Sequence, residues 1–176
     1  MDMPFDPQQF PALQKDDVDL QKEIEAILTE RAKGDPYGMN GDFAATISAL
    51  PVGLRAMAAT HWLDISLTLD SITWHFGNFG EPHLVALTED GLRELGLDEL
   101  ALCFKEASEL MLPILVERTE ADDNLPDFLE RKGVSELVDS LDRRAWDLDN
   151  PGSGKSLIYD AWIRYARQHP ERVFGS

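Results

Sequence analysis

Cysteine occurs once, at Cys103, which excludes an internal disulfide and any multi-cysteine zinc site. A reducing compartment is the matching expectation. Long apolar runs are missing as well: nowhere do about 18 such residues follow one another, and the opening MDMPFDPQQF has neither a basic n-region nor an apolar h-region. No membrane span or secretion signal is read, and a cytoplasmic location is expected. Basic residues are scarce, with 16 Lys and Arg against 33 Asp and Glu and a formal net charge of −17. Direct binding to nucleic acid or to an anionic membrane surface is therefore unfavourable, and a charged partner is expected to be a basic protein. Solubility alone would also account for the acidity.

What is present fits one folded domain. A chain of 176 residues can bury roughly 70% of its unfolded surface, and 43% of its residues are hydrophobic. Charge is unevenly placed. Residues 43–80 hold only Asp64 and Asp70 against Arg55, whereas residues 81–123 hold twelve acids against Arg93, Lys105 and Arg118. The first segment reads as core and the second as surface. Residues 150–176 are slightly basic through Lys155, Arg164, Arg167 and Arg172.

Pro4, Pro7 and Pro11 make residues 1–15 an extended N-terminal arm, from which Phe5 and Phe10 can dock on the body, leaving 16–176 as a single helical domain. A first helix starts near Asp17, with Leu20, Ile24, Ile27 and Leu28 inward, and stops at Gly34-Asp35-Pro36. Asp42 can cap a short helix over Phe43 to Leu50. Pro51 then opens another, with Leu54, Met57, Ala58, Trp62 and Ile65 inward. Residues 67–78 allow a strand or a helix ending in a turn, and a helix is chosen. Pro82 opens the next, closed by Gly96 and weakened by Gly91. Asp98 caps the longest helix, from 99 to about 118, with Leu100, Phe104, Ala107, Met111, Ile114 and Leu115 inward and Pro113 bending it. An acidic loop over 119–127 precedes helices near 135–148 and 156–168. The predicted fold is all-α, an irregular bundle of about seven helices.

No active site is read. Gly152-Ser153-Gly154-Lys155-Ser156 ends like a phosphate-binding loop, but Asp149 occupies the position of its first glycine and no apolar strand precedes it. A turn in which Ser153 or Ser156 caps a helix is the better reading. His61 with Asp64 could bind a metal but lacks a third ligand at a recognisable spacing. His75 reads as a buried polar group bonded to a carboxylate or a carbonyl, with Asp70 as candidate partner. Cys103 reads as inert filling. No cofactor or metal is expected, and enzyme activity is not.

The long helix is more informative. At 100° per residue Glu99, Glu106 and Glu117 fall nearly on one line, with Glu109 and Glu120 to one side, over roughly 27 Å. One strand of duplex DNA carries about eight phosphates over that length, so the stripe is too sparse to imitate DNA alone. Glu89, Asp90, Glu94, Asp122, Asp123, Asp127 and Glu130 are the acids that would have to join it in binding a partner. A solvated face is the alternative.

Leu50-Pro51-Val52-Gly53-Leu54-Arg55, Asp70-Ser71-Ile72-Thr73-Trp74-His75-Phe76-Gly77-Asn78 and Gly91-Leu92-Arg93-Glu94-Leu95-Gly96-Leu97 together resemble the DNA mimic protein family. This is a helical bacterial family, most of whose members have no assigned function, and the resemblance covers roughly residues 43–170. It implies an all-α fold whose surface acids imitate DNA and occupy the nucleic-acid face of a basic DNA-binding protein. It brings no catalytic residues. An immunity-type inhibitor of a toxin enzyme is the second reading. A metal-dependent enzyme built on His61, His75 and Asp70 is the third. Oligomeric state is not legible.

Overall fold

Apolar residues spaced three and four apart become the inner faces of helices in the computed structural model, which describes residues 10–119, 122, 124–149 and 154–175. Ten helices and no strand occur among them: α1 (Asp17–Arg31), α2 (Asp42–Ser48), α3 (Val52–Leu69), α4 (Ile72–Phe79), α5 (Pro82–Glu94), α6 (Asp98–Leu115), α7 (Leu125–Arg131), α8 (Ser135–Asp149), α9 (Leu157–Gln168) and α10 (Glu171–Phe174). The fold is an all-α bundle. It holds more helices than the seven or so expected, because the short α7 and α10 were not read from the sequence.

α3 is the hub, packing against α1, α2, α4, α5, α8, α9 and α10. Leu54, Met57, Ala59 and Leu63 are fully buried, while Trp62 and Ile65, expected inside, are only half-buried. A helix surrounded on several sides has no single inward stripe, so periodicity misplaces its faces. Small residues let neighbours close on it. A Cβ on Gly91 of α5 would stand 3.0 Å from the Ala56 carbonyl oxygen, and one on Gly53 would stand 2.5 Å from the Tyr165 ring. Gly91 therefore weakens α5 intrinsically but permits its close packing on α3.

Several boundaries differ from the sequence expectations. α3 ends at Leu69 and Ser71 caps α4, accepting from Trp74 N at 3.2 Å. Asp42 and Asp98 lie in the first turns of α2 and α6, and neither caps; the N-cap residues are Gly41 and Leu97. Pro51 is likewise the N-cap residue of α3. α6 continues through Pro113 and stops two residues later, at Leu115 instead of 118. The segment expected as an acidic loop already turns helical at Leu125, where the Asn124 side chain accepts from Asp127 N. Of the N-terminal arm, residues 1–9 lie outside the described residues. Pro11–Gln14 forms a 3-10 turn, Arg167 donates to the Leu13 and Lys15 carbonyls, and Phe10 meets Phe174 at 6.2 Å.

One buried carboxylate ties two helices together. Asp142 of α8 accepts from Thr73 N at 3.0 Å and from the Thr73 hydroxyl at 2.8 Å, satisfying a free amide in the first turn of α4. Burial raises its pKa and the Thr73 bonds oppose that rise. Asp142→Ala should lower stability by about 2–3 kcal/mol, because it strands a buried donor and removes a helix-end acceptor. Asp142→Asn, which keeps one acceptor oxygen, should lose less. Urea midpoints of the two variants check the order.

Candidate partner-binding surface

α6 runs between α5 and α8, and α7 lies against α8; the described acids singled out in the sequence sit on α5, α6 and α7 and, for Glu117 and Asp122, in the segment that joins α6 to α7. Glu120 and Asp123 lie outside the described residues. The other ten fall into two groups by their surroundings.

Six are held by cations of the chain itself. Glu89 pairs with Arg93 at 2.8 Å, Glu94 with Arg172 at 2.7 Å and Glu106 with Arg144 at 2.8 Å. Glu109 approaches Lys105 at 3.9 Å, Glu117 pairs with Lys132 and Asp122 with Arg131. Asp122 also accepts from Thr119 N at 2.9 Å, and this backbone bond is the main cause of its lowered pKa. Glu94 accepts in addition from the Tyr165 hydroxyl. Such exposed pairs add little stability, but they lower the local charge that a partner meets. Along the α6 stripe, Glu99 alone among the described acids has no ion pair.

The remaining four are Asp90, Glu99, Asp127 and Glu130, all exposed and without an ion pair among the described residues. Asp127 and Glu130 on α7 meet Asp139 of α8 around a cleft of about 380 Å³. Trp74 forms another part of its wall, partly exposed, with Pro126, Leu129 and Val138 contributing apolar surface. Among the described residues no basic side chain lines it. The nearest cations on α7 are committed elsewhere: Arg131 to Asp122 and Lys132 to Glu117, both over the Phe128 ring. A second cleft, lined by Glu130, Gly133, Ser135, Glu136 and exposed Leu137, shares Glu130 and Ser135 with the first. The α7–α8 corner is thus a continuous surface on which carboxylates alternate with apolar groups.

Glu136 and Asp139 were missed in the sequence because Arg143 and Arg144 make α8 look electrically mixed. The signal that places them was present: Val138 and Ala145 are buried on the inward side of α8, which turns Glu136, Asp139 and Arg143 outward.

The other chemical candidates resolve structurally. His75 is buried and lies 3.0 Å from the Ser66 hydroxyl, so its partner is Ser66 and not Asp70; Asp70 lies exposed at the end of α3, where the helix has stopped. Ser156 caps α9, accepting from Tyr159 N at 3.0 Å and donating to the buried Asp64. Burial, with Asp149 and Glu25 nearby, raises the Asp64 pKa to about 6. Ser153 and the glycine before it lie outside the described residues. His61 bonds through Nδ1 to the Tyr159 hydroxyl at 3.1 Å. Among the described residues no group of three or more His, Cys, Asp and Glu side chains is placed to hold a metal. The buried Cys103 thiol faces the Leu141 carbonyl at 3.6 Å, and burial pushes its pKa up, which disfavours the reactive thiolate. No helix among the described residues is long and apolar enough to cross a membrane.

A family model described as DMP19-like protein matches residues 48–169, from the end of α2 to the residue after α9. The chain belongs to this family. The match contains all three sequence segments that resemble the DNA mimic proteins, and it agrees with that resemblance. It takes in every helix of the acidic surface and leaves α1, most of α2 and α10 outside. No curated protein and no solved structure matches this DMP19-like chain.

Proposed function

We propose that the protein is an acidic protein-binding module that occupies the nucleic-acid-binding face of a basic DNA-binding protein, with the α7–α8 corner at the centre of contact. The observation that carries this reading is the placement of charge. Around Trp74 the carboxylates Asp127, Glu130 and Asp139 have no ion pair among the described residues, whereas most of the α6 stripe does. Partner lysines and arginines gain most where they need not displace an internal partner. Trp74 adds a face on which an arginine side chain can stack. The net charge of −17 supplies the long-range attraction, and family membership supports the reading.

The test begins with proteins recovered from lysate at low salt and lost at high salt. A DNA-binding protein among them should be released by duplex DNA, and its affinity should fall steeply with ionic strength. Combining Asp127→Asn, Glu130→Gln and Asp139→Asn should weaken binding about ten- to hundredfold and flatten the salt dependence. Replacing Glu106 and Glu117 by glutamine should do less. A partner that duplex DNA never displaces would instead mark an immunity-type inhibitor and end the mimic reading.

A further inference from the structure

A third cleft, of about 400 Å³, opens between α1 and α3 on elements that lie partly outside the family match. Glu25, Leu28, Thr29 and Ala32 of α1 form one side, Ala58, His61 and Trp62 of α3 the other, and Phe43 of α2 closes one end. Ala32 and Ala58 are the smallest side chains along its walls. Its volume falls within the range that small-molecule sites occupy.

Its walls are held in place by packing that has nothing to do with solubility. The Trp62 indole is braced by Phe43 at 6.2 Å, Phe79 at 5.3 Å and Tyr37 at 6.0 Å, and stands edge-on to His61 at 5.1 Å. Three polar groups enter this apolar frame, and one of them, the Thr29 hydroxyl, is engaged, donating to the Glu25 carbonyl at 2.8 Å. Glu25 accepts a neutral bond from the Gln21 amide at 3.0 Å and has no ion pair among the described residues. His61 has its Nδ1 engaged by Tyr159, which leaves Nε2 as the ring nitrogen free for a ligand, and burial holds its pKa down, so the ring stays neutral. One carboxylate, one neutral imidazole and aromatic walls select a cation with an apolar body; an anion would meet Glu25 with nothing to offset it.

We propose that this cleft binds a small primary amine carrying an aromatic group, the ammonium meeting Glu25 and the ring lying against the wall that Trp62 and Phe43 form together. This site is separate from the α7–α8 corner and does not rest on the DNA-mimic reading.

Phenethylamine, phenethyl alcohol and phenylacetate serve as probes, titrated by calorimetry and by the indole NMR signals of the full chain. Phenethylamine should bind saturably, about tenfold more tightly than the alcohol, and phenylacetate more weakly still. Glu25→Gln should bring the amine down to the level of the alcohol. Ala32→Met, at a half-exposed position on the rim, should weaken amine and alcohol alike by about tenfold; Thr29→Met repeats this block should the first variant not fold. An amine preference that survives Glu25→Gln would assign it to the overall negative field and overturn the site. So would affinity unchanged by filling the cleft, or no saturable binding of the amine up to millimolar concentration.

Discussion

Replacing Trp162 with alanine should lower the unfolding free energy by about 3–5 kcal/mol, a large share of the roughly 5–15 kcal/mol that stabilises a domain. Trp162 is fully buried in α9, at the junction with α3. Its indole lies 4.8 Å from the Tyr159 ring and 6.0 Å from the His61 ring, and Nε1 donates to the Thr60 hydroxyl at 3.0 Å. Thr60 in turn donates to the Ala56 carbonyl at 2.8 Å, so the hydroxyl is both donor and acceptor inside the hub helix. Truncation leaves a cavity the size of an indole between elements that α3 holds in place on several other sides, which limits collapse around it. Trp162→Phe keeps most of the volume but removes the donor, and should lose about 1–2 kcal/mol. Urea midpoints at unchanged slope measure both. A loss below about 1 kcal/mol in the alanine variant would refute this account of how α9 is attached.

How much of this was legible follows from which helices have one inward side. α6 buries Leu100, Phe104, Ala107 and Met111, as its spacing predicts, and α1 buries Leu20, Ile24 and Leu28. α3 is contacted on several sides, so its burial follows neighbours that no local pattern encodes. α7 escaped because Pro126 and the surrounding acids read as loop, although Asn124 followed by Pro126 is also a helix start. The acidic surface divides in the same way. Glu89 with Arg93 and Lys105 with Glu109 are four residues apart and could be foreseen on a helix. Glu106 with Arg144 is 38 residues apart, and Glu117 with Lys132 is 15. Those pairs depend on how α6, α7 and α8 meet, which is why the helix chosen from charge alone is the one whose charge the fold largely neutralises.

The stability difference between the natural protein and His75→Phe should move against the natural protein by about 3 kcal/mol between pH 7 and pH 4. His75 of α4 is buried, with the rings of Phe76, Phe79 and Phe104 at 5.4, 5.1 and 5.6 Å. The Ser66 hydroxyl donates to the Trp62 carbonyl at 2.9 Å, so it can only accept from His75 Nδ1. That fixes the tautomer and leaves Nε2 as a bare acceptor with no partner among the described residues. Protonation there would place a cation among aromatic rings, and burial depresses the pKa from 6.5 to about 3, against a smaller opposing effect of the Trp62 carbonyl. Because the folded value is the lower one, the stabilisation is complete above about pH 6.5 and is lost as pH falls towards 3, where the unfolded chain takes up a proton that the folded one refuses. Asp64 acts in the opposite sense: its folded value is raised from 3.8 to about 6, so its contribution is complete below the ordinary value and is lost as pH rises through 6. The natural protein therefore shows a blend of the two, and subtraction of the variant isolates the histidine. Phenylalanine fills the same space without titrating, and any overpacking shifts its stability equally at every pH. Guanidinium unfolding of both proteins across this range gives the slope; a difference that stays constant from pH 7 to pH 4 would show that the ring accepts a proton without leaving its aromatic enclosure.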